Sequence, residues 1–310
     1  MHIHNQLQMK DVWYIIFNPV SGGGKNKKQI TSIKNMLVSH HLQFELRWTE
    51  YPHHEKLLVQ NAIENGYLKF ICIGGDGTLH HMVNGIMTQE LIASNKILLA
   101  VIPVGTGNDW VKNYSISSNP EKAIKTIINN NVIFQDIGRI VFKESQKKQF
   151  FMNAAGIGFD AFVVKNINAF TKWGSLAYIF AALSSLRVFK PDEFILNTDT
   201  YNFNSQMFLI SIGLCKFSGS GMQLTDYKRH ENGFFDITYI PNIKMLQVIR
   251  HIFKLYFGGI KDIKESQCFK GKEIDTVNNH SSYIQADGEL IGKGDVSISL
   301  LPEAIQFIIS

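Results

Sequence analysis

The first 130 residues alternate short apolar runs with segments of helical periodicity, and this alternation limits the possible folds more than any other feature. The apolar runs are VWYIIF (12–17), FELRW (44–48), KFICI (69–73) and ILLAVI (97–102), each of strand length. Between them, segments 28–40, 54–66 and 79–89 carry apolar residues at helical spacing. This order predicts an α/β domain, with a parallel sheet and helices on both of its faces.

The pattern changes after the three asparagines at 129–131. From there to residue 310, strand-like runs separated by polar turns dominate, and helical stretches interrupt them only near 160–187 and 243–257. We therefore predict two domains, an α/β domain over 1–132 and a mainly β domain over 133–310. A return of the extreme C-terminus to the first domain stays open.

The charge of the chain limits its partners. A formal net charge of +5 favours anionic partners such as nucleotides or an acidic membrane surface. It is far below the charge density of nucleic-acid-binding domains, so we expect no nucleic-acid partner. The sequence does not indicate an oligomeric state, and a homodimer stays open.

Several features predict a cytoplasmic location. Cys72, Cys215 and Cys268 are scattered and lack metal-ligand spacing, as expected in a reducing compartment. The first ten residues contain no apolar signal-peptide core. The longest apolar stretch, WGSLAYIFAALSSL (173–186), is too short to span a bilayer.

Three glycine-rich loops follow the first, third and fourth predicted strands: NPVSGGGK (18–25), GGDGT (74–78) and PVGTGND (103–109). In parallel sheets, ligands bind at the carboxyl ends of the strands, and glycine lets the backbone approach a phosphate. A helix predicted to start near Thr78 adds N–H groups that favour an anion. Asp76 would repel phosphate unless a divalent cation lay between them. The alternative is an ordinary Asp-Gly turn.

The common nucleotide motifs do not fit these loops. The first loop departs from the Walker pattern, since Pro19 replaces its first glycine and Asn26 its Ser or Thr. In GTGNDW (105–110), Trp110 replaces the third glycine of a dinucleotide fingerprint. The pattern is met by GIGFDA (156–161), but its surroundings are rich in strands and no acid follows at the required distance. We interpret GIGFDA as a close-packing feature.

Together with DGE (287–289), the three loops resemble the diacylglycerol kinase catalytic family, and especially its bacterial lipid kinases, which are similar to sphingosine and ceramide kinases. The GGDGT loop alone is shared with NAD kinases. The resemblance covers nearly the whole chain. It implies an NAD-kinase-like α/β domain followed by an antiparallel β-sandwich.

The resemblance also implies roles for individual residues, with ATP and Mg²⁺ as cofactors. Glu289 matches the proposed general base, and Asp76 and Asp109 match acids that organise Mg²⁺ through water, which makes Asp76 a catalytic residue as well. The matched nucleotide-binding positions are Asn18, Pro19, Ser21, Gly22, Gly23, Gly24, Lys25, Thr49, Gly74, Gly75, Gly77, Thr78, Gly105, Thr106 and Asn108.

The chain departs from the family pattern at two places. His80-His81 stands where relatives commonly have Asn or His followed by Glu, so an ion pair of that Glu is lost. We expect both histidines to be surface residues or to support the loop from behind. Glu231-Asn232-Gly233 replaces Asp-Asp-Gly, which puts a second, structural Mg²⁺ in doubt.

The resulting hypothesis is a Mg²⁺-dependent kinase that phosphorylates a hydroxyl of a diacylglycerol-like or sphingoid lipid at a membrane surface. A basic amphipathic segment (243–264) and an apolar segment (170–190) are the candidates for membrane or acyl-chain contact. Packing of segment 243–264 on the β-rich domain is the alternative. Two other functions stay open: a kinase for NAD or another small molecule, and a non-catalytic nucleotide- or lipid-binding protein.

Overall fold

In the computed structural model, residues 9–22, 29–105, 108–219, 221–226, 233–255, 259–278 and 282–310 are described. The chain forms two compact units. Unit 1 contains residues up to Gln135 together with Glu303–Ser310, and unit 2 contains Asp136–Pro302. The chain passes between them in two strands, β5 (Val132–Phe142) and β15 (Val296–Ile308).

A parallel sheet forms the centre of unit 1. Its strands are β1 (Lys10–Phe17), β2 (Phe44–Trp48), β3 (Tyr67–Gly74) and β4 (Leu98–Pro103), in the order β4–β3–β1–β2. The end of β15 adds a further parallel strand beside β4, where Gln306 pairs with Leu98. The buried stretches of the central strands, 14–17 and 70–73, are apolar because both faces of such a sheet are covered. All four predicted strands are confirmed.

In the described part of unit 1, the α-helices that accompany this sheet are α1 (Gln29–Ser39), α2 (His54–Glu64), α3 (Asp76–Thr88), α4 (Asp109–Asn113) and α5 (Pro120–Asn129). Helix α2 packs on α3, and α1 packs on α5. Helix α3 begins two residues before Thr78, so Asp76 and Gly77 lie in its first turn. The predicted strand–helix alternation is therefore confirmed, and the loop after β3 is shorter than expected.

Unit 2 is an antiparallel β-sandwich. Besides parts of β5 and β15 it contains the strands β6 (Lys148–Phe151), β7 (Ala154–Gly158), β8 (Asp192–Thr198), β9 (Asn202–Gly213), β10 (Phe235–Pro241), β11 (Gln267–Gly271), β12 (Glu273–Val277), β13 (Tyr283–Ala286) and β14 (Glu289–Lys293). One path of neighbouring strands runs β14–β13–β7–β9–β8–β12–β15. A core of apolar side chains from these strands lies inside it, with Phe151, Phe194 and Phe235 almost fully buried.

The helices of unit 2 pack around a second apolar cluster. They are α6 (Phe159–Asn166), α7 (Ala177–Ser185) and α8 (Met245–Leu255), with a 3₁₀ segment at Ile167–Leu176 between the first two. Apolar residues of α6 and α7 meet residues of β9 there, including Phe208. None of the helices in the described part of the chain combines the length and apolarity needed to cross a bilayer.

Candidate functional site

The predicted loops of unit 1 lie along one edge of its sheet. The parallel register pairs Phe17 with Ile73, and Gly74 with Pro103, so β1, β3 and β4 end at the same level. The segment after β2 joins them, because the backbone N–H of Thr49 donates to the carbonyl of Phe17 over 3.0 Å. The edge therefore gathers the first, second and third glycine loops together with Thr49.

Glycine is required at two crowded positions in these loops. A Cβ on Gly74 would lie 2.6 Å from the side chain of Thr78. A Cβ on Gly105 would lie 2.8 Å from Oδ1 of Asn108 and 3.1 Å from the Cα of Gly75. At Gly75 itself the nearest atom is 3.6 Å away, so the protein alone leaves room for a methyl group there. The loops after β3 and β4 thus meet backbone to backbone.

Asn18 ties the first loop to the GGDGT segment. Its Nδ2 donates to Oγ1 of Thr78 over 3.1 Å and to Oε1 of Glu55 over 3.0 Å. Its Oδ1 accepts from the backbone N–H of Val20, and the hydroxyls of Ser21 and Thr78 lie 3.3 Å apart. This network brings the predicted residues Asn18, Ser21 and Thr78 into direct contact.

The remaining residues of the first and third loops are only partly described. Pro19 lies in a turn directly after β1, and Gly22 adopts a left-handed backbone with φ of 62°. Asn108 is also left-handed, and its side chain donates to the carbonyl of Gly105 over 3.0 Å. The predicted sites Gly23, Gly24, Lys25 and Thr106 lie outside the described residues.

The two predicted metal-organising acids of unit 1 lie side by side. Oδ2 of Asp76 accepts from the backbone N–H of Asp109 over 2.8 Å, and Oδ1 accepts from that of Trp110 over 3.3 Å. Asp76 thereby supplies acceptors to the first N–H groups of α4. Asp109 is buried and forms an ion pair with Lys112, at 2.9 Å.

The chemistry of this pair fits Mg²⁺ in one particular way. Carboxylate oxygens are the ligands that Mg²⁺ prefers, and it commonly takes one or two of them together with waters and substrate phosphates. Among the residues that the structure describes, no group of three or more His, Cys, Asp or Glu side chains could hold a metal. The two aspartates therefore fit a shared site that nucleotide phosphates and water would complete.

Glu55, a buried carboxylate beside this edge, has no counterpart in the sequence predictions. It lies in the first turn of α2 with 2% of its surface exposed. Burial raises its pKa, against the opposing hydrogen bonds from the backbone and from Asn18. Its Oε2 is buried without a hydrogen-bond partner among the described residues. The sequence signal was only an acid at the start of a predicted helix.

The histidine pair after GGDGT is packed into unit 1. His80 is buried and its ring lies 3.3 Å from Nδ2 of Asn84, so a surface position is wrong for this residue. His81 is half-buried, and its Nε2 lies 2.7 Å from Nδ1 of His53. Burial, together with the neighbouring His80 and His53, lowers the pKa of His81 to about 3.

In unit 2, the predicted base lies next to a tightly held turn. Asp287 and Gly288 connect β13 and β14 with φ of 52° and 84°, the positive values that a type I′ hairpin requires. The carboxylate of Asp287 accepts from the backbone N–H groups of Met152, Asn153 and Ala154, at 3.2, 2.8 and 3.2 Å. Glu289 follows as the first, half-buried residue of β14.

The GIGFDA segment is a close-packing feature, as predicted. A Cβ on Gly156 would lie 2.0 Å from Oδ2 of Asp160 and 2.8 Å from Nε2 of Gln285. Gly158 has φ of 88° and leaves no space for a Cβ beside the carbonyl of Phe208. The two glycines let α6 start directly against the sheet.

An apolar cavity of about 60 Å³ lies within unit 2 and opens to solvent. Its wall consists mostly of apolar side chains such as Phe159, Phe208, Leu209, Met222, Leu224 and Ile240. The titratable side chains in the wall are Asp160, Tyr178 and His251. The cavity thus combines an apolar body with a few polar groups, as ligand pockets commonly do.

The second metal site, which the sequence put in doubt, lies mostly outside the described residues. Of the segment Glu231-Asn232-Gly233, only the glycine belongs to the described residues, and its backbone N–H donates to Oδ2 of Asp136 over 2.8 Å. Residues 227–232, with the basic run before this segment, lie outside the description.

Two family comparisons cover most of the chain. Residues 12–140 match the diacylglycerol kinase catalytic domain. Residues 153–309, half of the chain, match the YegS C-terminal NAD kinase beta sandwich-like domain.

The chain belongs to the diacylglycerol kinase catalytic-domain family.

Individual members of this family are similar over nearly the full length. A Bacillus subtilis protein named "Putative lipid kinase YtlR" is 26% identical, with 95% of this chain and 98% of the relative covered. A Staphylococcus aureus protein (strain Newman) named "Putative lipid kinase" is also 26% identical, with 95% and 96% covered.

A solved structure agrees on the fold. The crystal structure of a "putative diacylglycerol kinase" from Bacillus anthracis superposes with a TM-score of 0.79 at 23% identity, covering 100% of this chain and 99% of that one. The predicted α/β domain and antiparallel β-sandwich of the diacylglycerol kinase family are therefore confirmed.

Proposed function

We propose that this protein is a lipid kinase that transfers the γ-phosphate of ATP to a hydroxyl of a diacylglycerol-like or sphingoid lipid in the presence of Mg²⁺. The observation that carries the choice of a lipid over a small polar acceptor is the apolar cavity of unit 2. Such a wall stabilises hydrocarbon chains by removing them from water. NAD, which is polar along its whole length, gains little from it.

Unit 1 supplies the nucleotide site in this proposal. The backbone N–H groups at the start of α3 and the close-packed glycines at 74, 75 and 105 suit phosphate oxygens. Asn18 and Thr78 fix the first loop against the second. When bound, Mg²⁺ would neutralise the phosphate charge that develops during transfer, and Asp76 and Asp109 would hold it through water.

Glu289 is the proposed base in unit 2. The lipid hydroxyl oxygen forms a bond to the γ-phosphorus, the bond from the γ-phosphorus to the β–γ bridging oxygen breaks, and ADP leaves. The hydroxyl proton passes to the carboxylate of Glu289 and then to water. The type I′ geometry and the three backbone contacts of Asp287 hold the turn that precedes this base in place.

The activity is tested with labelled ATP, Mg²⁺ and a panel of lipids, read as labelled product in the organic phase. NAD is offered in parallel. Labelled lipid supports the proposal, labelled NADP favours the small-molecule kinase, and ATP binding without any transfer favours a binding protein.

The catalytic residues are tested by Glu289→Gln and Asp76→Ala. Glu289→Gln should reduce turnover by about 100-fold or more while the melting temperature stays unchanged, because general-base catalysis is lost. Asp76→Ala should abolish transfer. The matched control is Glu273→Gln, since Glu273 is an exposed glutamate on β12. Turnover in Glu289→Gln equal to this control would exclude the base role.

We also propose that α8 rests on the membrane that holds the lipid. Met245, Leu246 and Ile249 are exposed on this helix, with 47%, 76% and 38% of their surfaces accessible. The basic residues Lys244, Arg250 and Lys254 flank them and are exposed as well. Val248 and His251 of the same helix line the cavity. A basic helix with exposed apolar residues suits an anionic interface.

Membrane binding is measured by sedimentation with phosphatidylglycerol and with phosphatidylcholine vesicles. Leu246→Gln combined with Ile249→Gln should weaken binding to the anionic vesicles by about tenfold, since two apolar side chains are lost from the interface. Leu91→Gln is the control, because Leu91 is similarly exposed but belongs to unit 1. Equal binding of both variants, or dimerisation through α8 without vesicle binding, would contradict the proposal.

A further inference from the structure

The cavity of unit 2 has a buried carboxylate in its wall whose role lies beyond packing. Asp160 has 4% of its surface exposed. Its Oδ1 accepts from the hydroxyl of Tyr178, which also lines the cavity. Its Oδ2 accepts from Nε2 of Gln285 over 2.6 Å. A carboxylate so placed makes strong, charge-assisted hydrogen bonds, because little water competes for them.

Gln285 contacts both Asp160 and the turn before Glu289. It is 2% exposed, on β13, and its Oε1 accepts from the backbone N–H of Gly288 over 2.9 Å. Its two ends therefore face a carboxylate and an N–H group. If the amide were turned over, its oxygen would face the Asp160 carboxylate and its NH₂ would face another donor. Its orientation is thus fixed by both partners.

The glycine at 156 makes this arrangement possible. Gly156 pairs with Gln285 in the sheet, and any side chain there would overlap Oδ2 of Asp160. The missing side chain at Gly156 therefore provides the space in which Asp160, a residue of the cavity wall, reaches Gln285 on β13.

We propose that Gln285 is a positioning residue that couples occupancy of the cavity, through Asp160, to the turn that presents Glu289. A hydrocarbon chain in the cavity contacts the wall formed by Phe159, Asp160 and Tyr178. Restricting Asp160 restricts Gln285, and this in turn restricts the Gly288 amide. Glu289 then reaches its working geometry when a lipid is bound. The inference rests on the proposed lipid kinase function for the identity of the ligand and of the base.

Gln285→Met tests the coupling, because methionine keeps the length of the side chain and removes both hydrogen bonds. The matched control is Thr276→Val. Thr276 is fully buried on β12, and its hydroxyl donates to the carbonyl of Val296 over 3.1 Å and accepts from its N–H over 2.9 Å. Both variants lose two buried hydrogen bonds in unit 2, but only Gln285→Met disconnects the turn.

The kinetic readout separates positioning from stability. With dioctanoylglycerol, Gln285→Met should lower kcat by about 10- to 100-fold, since small displacements of a catalytic group cost this much, and leave the KM for ATP unchanged. Thr276→Val should keep kcat within about twofold at a similar loss of melting temperature. A kcat for Gln285→Met equal to that of Thr276→Val would overturn the proposal.

Hydrogen exchange provides a readout that does not depend on transfer. In the wild type, dioctanoylglycerol should slow exchange in the peptide that spans the Gly288 amide. Thr276→Val should keep this protection. If Gln285→Met does not fold, Gln285→Glu retains the acceptor for the Gly288 N–H and should lose the protection in alkaline buffer, where its carboxylate and that of Asp160 are both ionised and repel each other. No protection in the wild type would overturn the coupling even if lipids are phosphorylated. Protection without any phosphorylated lipid would instead refute only the kinase function.

Discussion

Nδ2 of Asn18 donates to the buried carboxylate of Glu55 over 3.0 Å, and this contact holds the first glycine loop against the start of α2. The same nitrogen reaches Thr78, so one amide connects the segments after β1, before α2 and after β3. Position 55 therefore influences the geometry of the proposed nucleotide-binding edge although it matches no nucleotide motif.

Substitution of Glu55 should separate its charge from its hydrogen bond. Glu55→Gln keeps an acceptor for the side chain of Asn18. Glu55→Ala leaves Nδ2 of Asn18 without this acceptor and should lower the free energy of unfolding by about 2 kcal/mol. Because burial raises the pKa of Glu55, the wild type loses stability as pH rises above the unfolded pKa through the folded one. Thermal melts should therefore show the stability of Glu55→Gln rising relative to that of the wild type as pH increases from about 4.5, the unfolded value. A difference that stays constant as pH increases from this value would contradict the raised pKa.

The glycines at 74 and 75 should respond differently to alanine. Gly74→Ala should destabilise unit 1 by about 1–3 kcal/mol, because its methyl group overlaps Thr78. Gly75→Ala has room and should change stability by less than about 1 kcal/mol, yet weaken ATP binding by obstructing the approach of a phosphate. Melting curves and titration with a fluorescent ATP analogue check both. Equal ATP affinity in Gly75→Ala and the wild type would show that phosphate does not approach this residue.

His81 should make stability depend on pH below neutrality. Its folded pKa of about 3 lies below the unfolded value near 6.5, so the unfolded state binds more protons between these values. Its contribution is therefore complete above pH 6.5 and is lost as pH falls. The loss between pH 7 and 5 should be about 1 kcal/mol, allowing for solvent near the ring. Between pH 7 and 5, the free energy of urea unfolding should therefore fall by about 1 kcal/mol less in His81→Gln than in the wild type. An equal fall in both proteins would show that another group titrates.

Filling the cavity should limit the lipid chain. Ala182 is 2% exposed and lines the cavity, so Ala182→Phe should raise the KM for long-chain diacylglycerol by about tenfold through lost apolar burial. Dioctanoylglycerol, with its shorter chains, should be less affected. Leu183→Phe provides the control, since Leu183 is the next residue of α7 and is 38% exposed. Equal KM values in both variants would show that the acyl chain does not occupy the cavity.

The sequence predicted the elements of unit 1 well because each depends on local patterns. An apolar run such as 69–73 is recognisable as a strand without its neighbours, and a glycine cluster marks the end of that strand. The contacts of Asn18 and Asp76 in unit 1 join residues 60 and 33 positions apart, respectively. Periodicity alone carries no information on such pairs.

Three features show where local patterns fail. Glu55 looked like an ordinary acid at a helix start, because only the fold reveals that it is buried. Pro302 looks like a turn between two strand-like runs, 295–301 and 304–310, yet most of both runs belongs to a single strand, β15. In unit 2 the role of the Gln285 amide could not be predicted either, since it depends on a contact with Asp160, 125 residues away.

The course of β15 has a consequence for how the protein is made. Unit 1 takes its strand beside β4 from residues at the far end of the chain, where Phe307 also contacts Trp110 with ring centroids 4.6 Å apart. When only the first 135 residues have emerged from the ribosome, the edge strand β4 therefore lacks its partner β15. Unit 1 must wait for the rest of the polypeptide before the hydrogen-bonded ladder of its sheet is complete. Nascent chains should thus stay sensitive to protease until translation reaches β15.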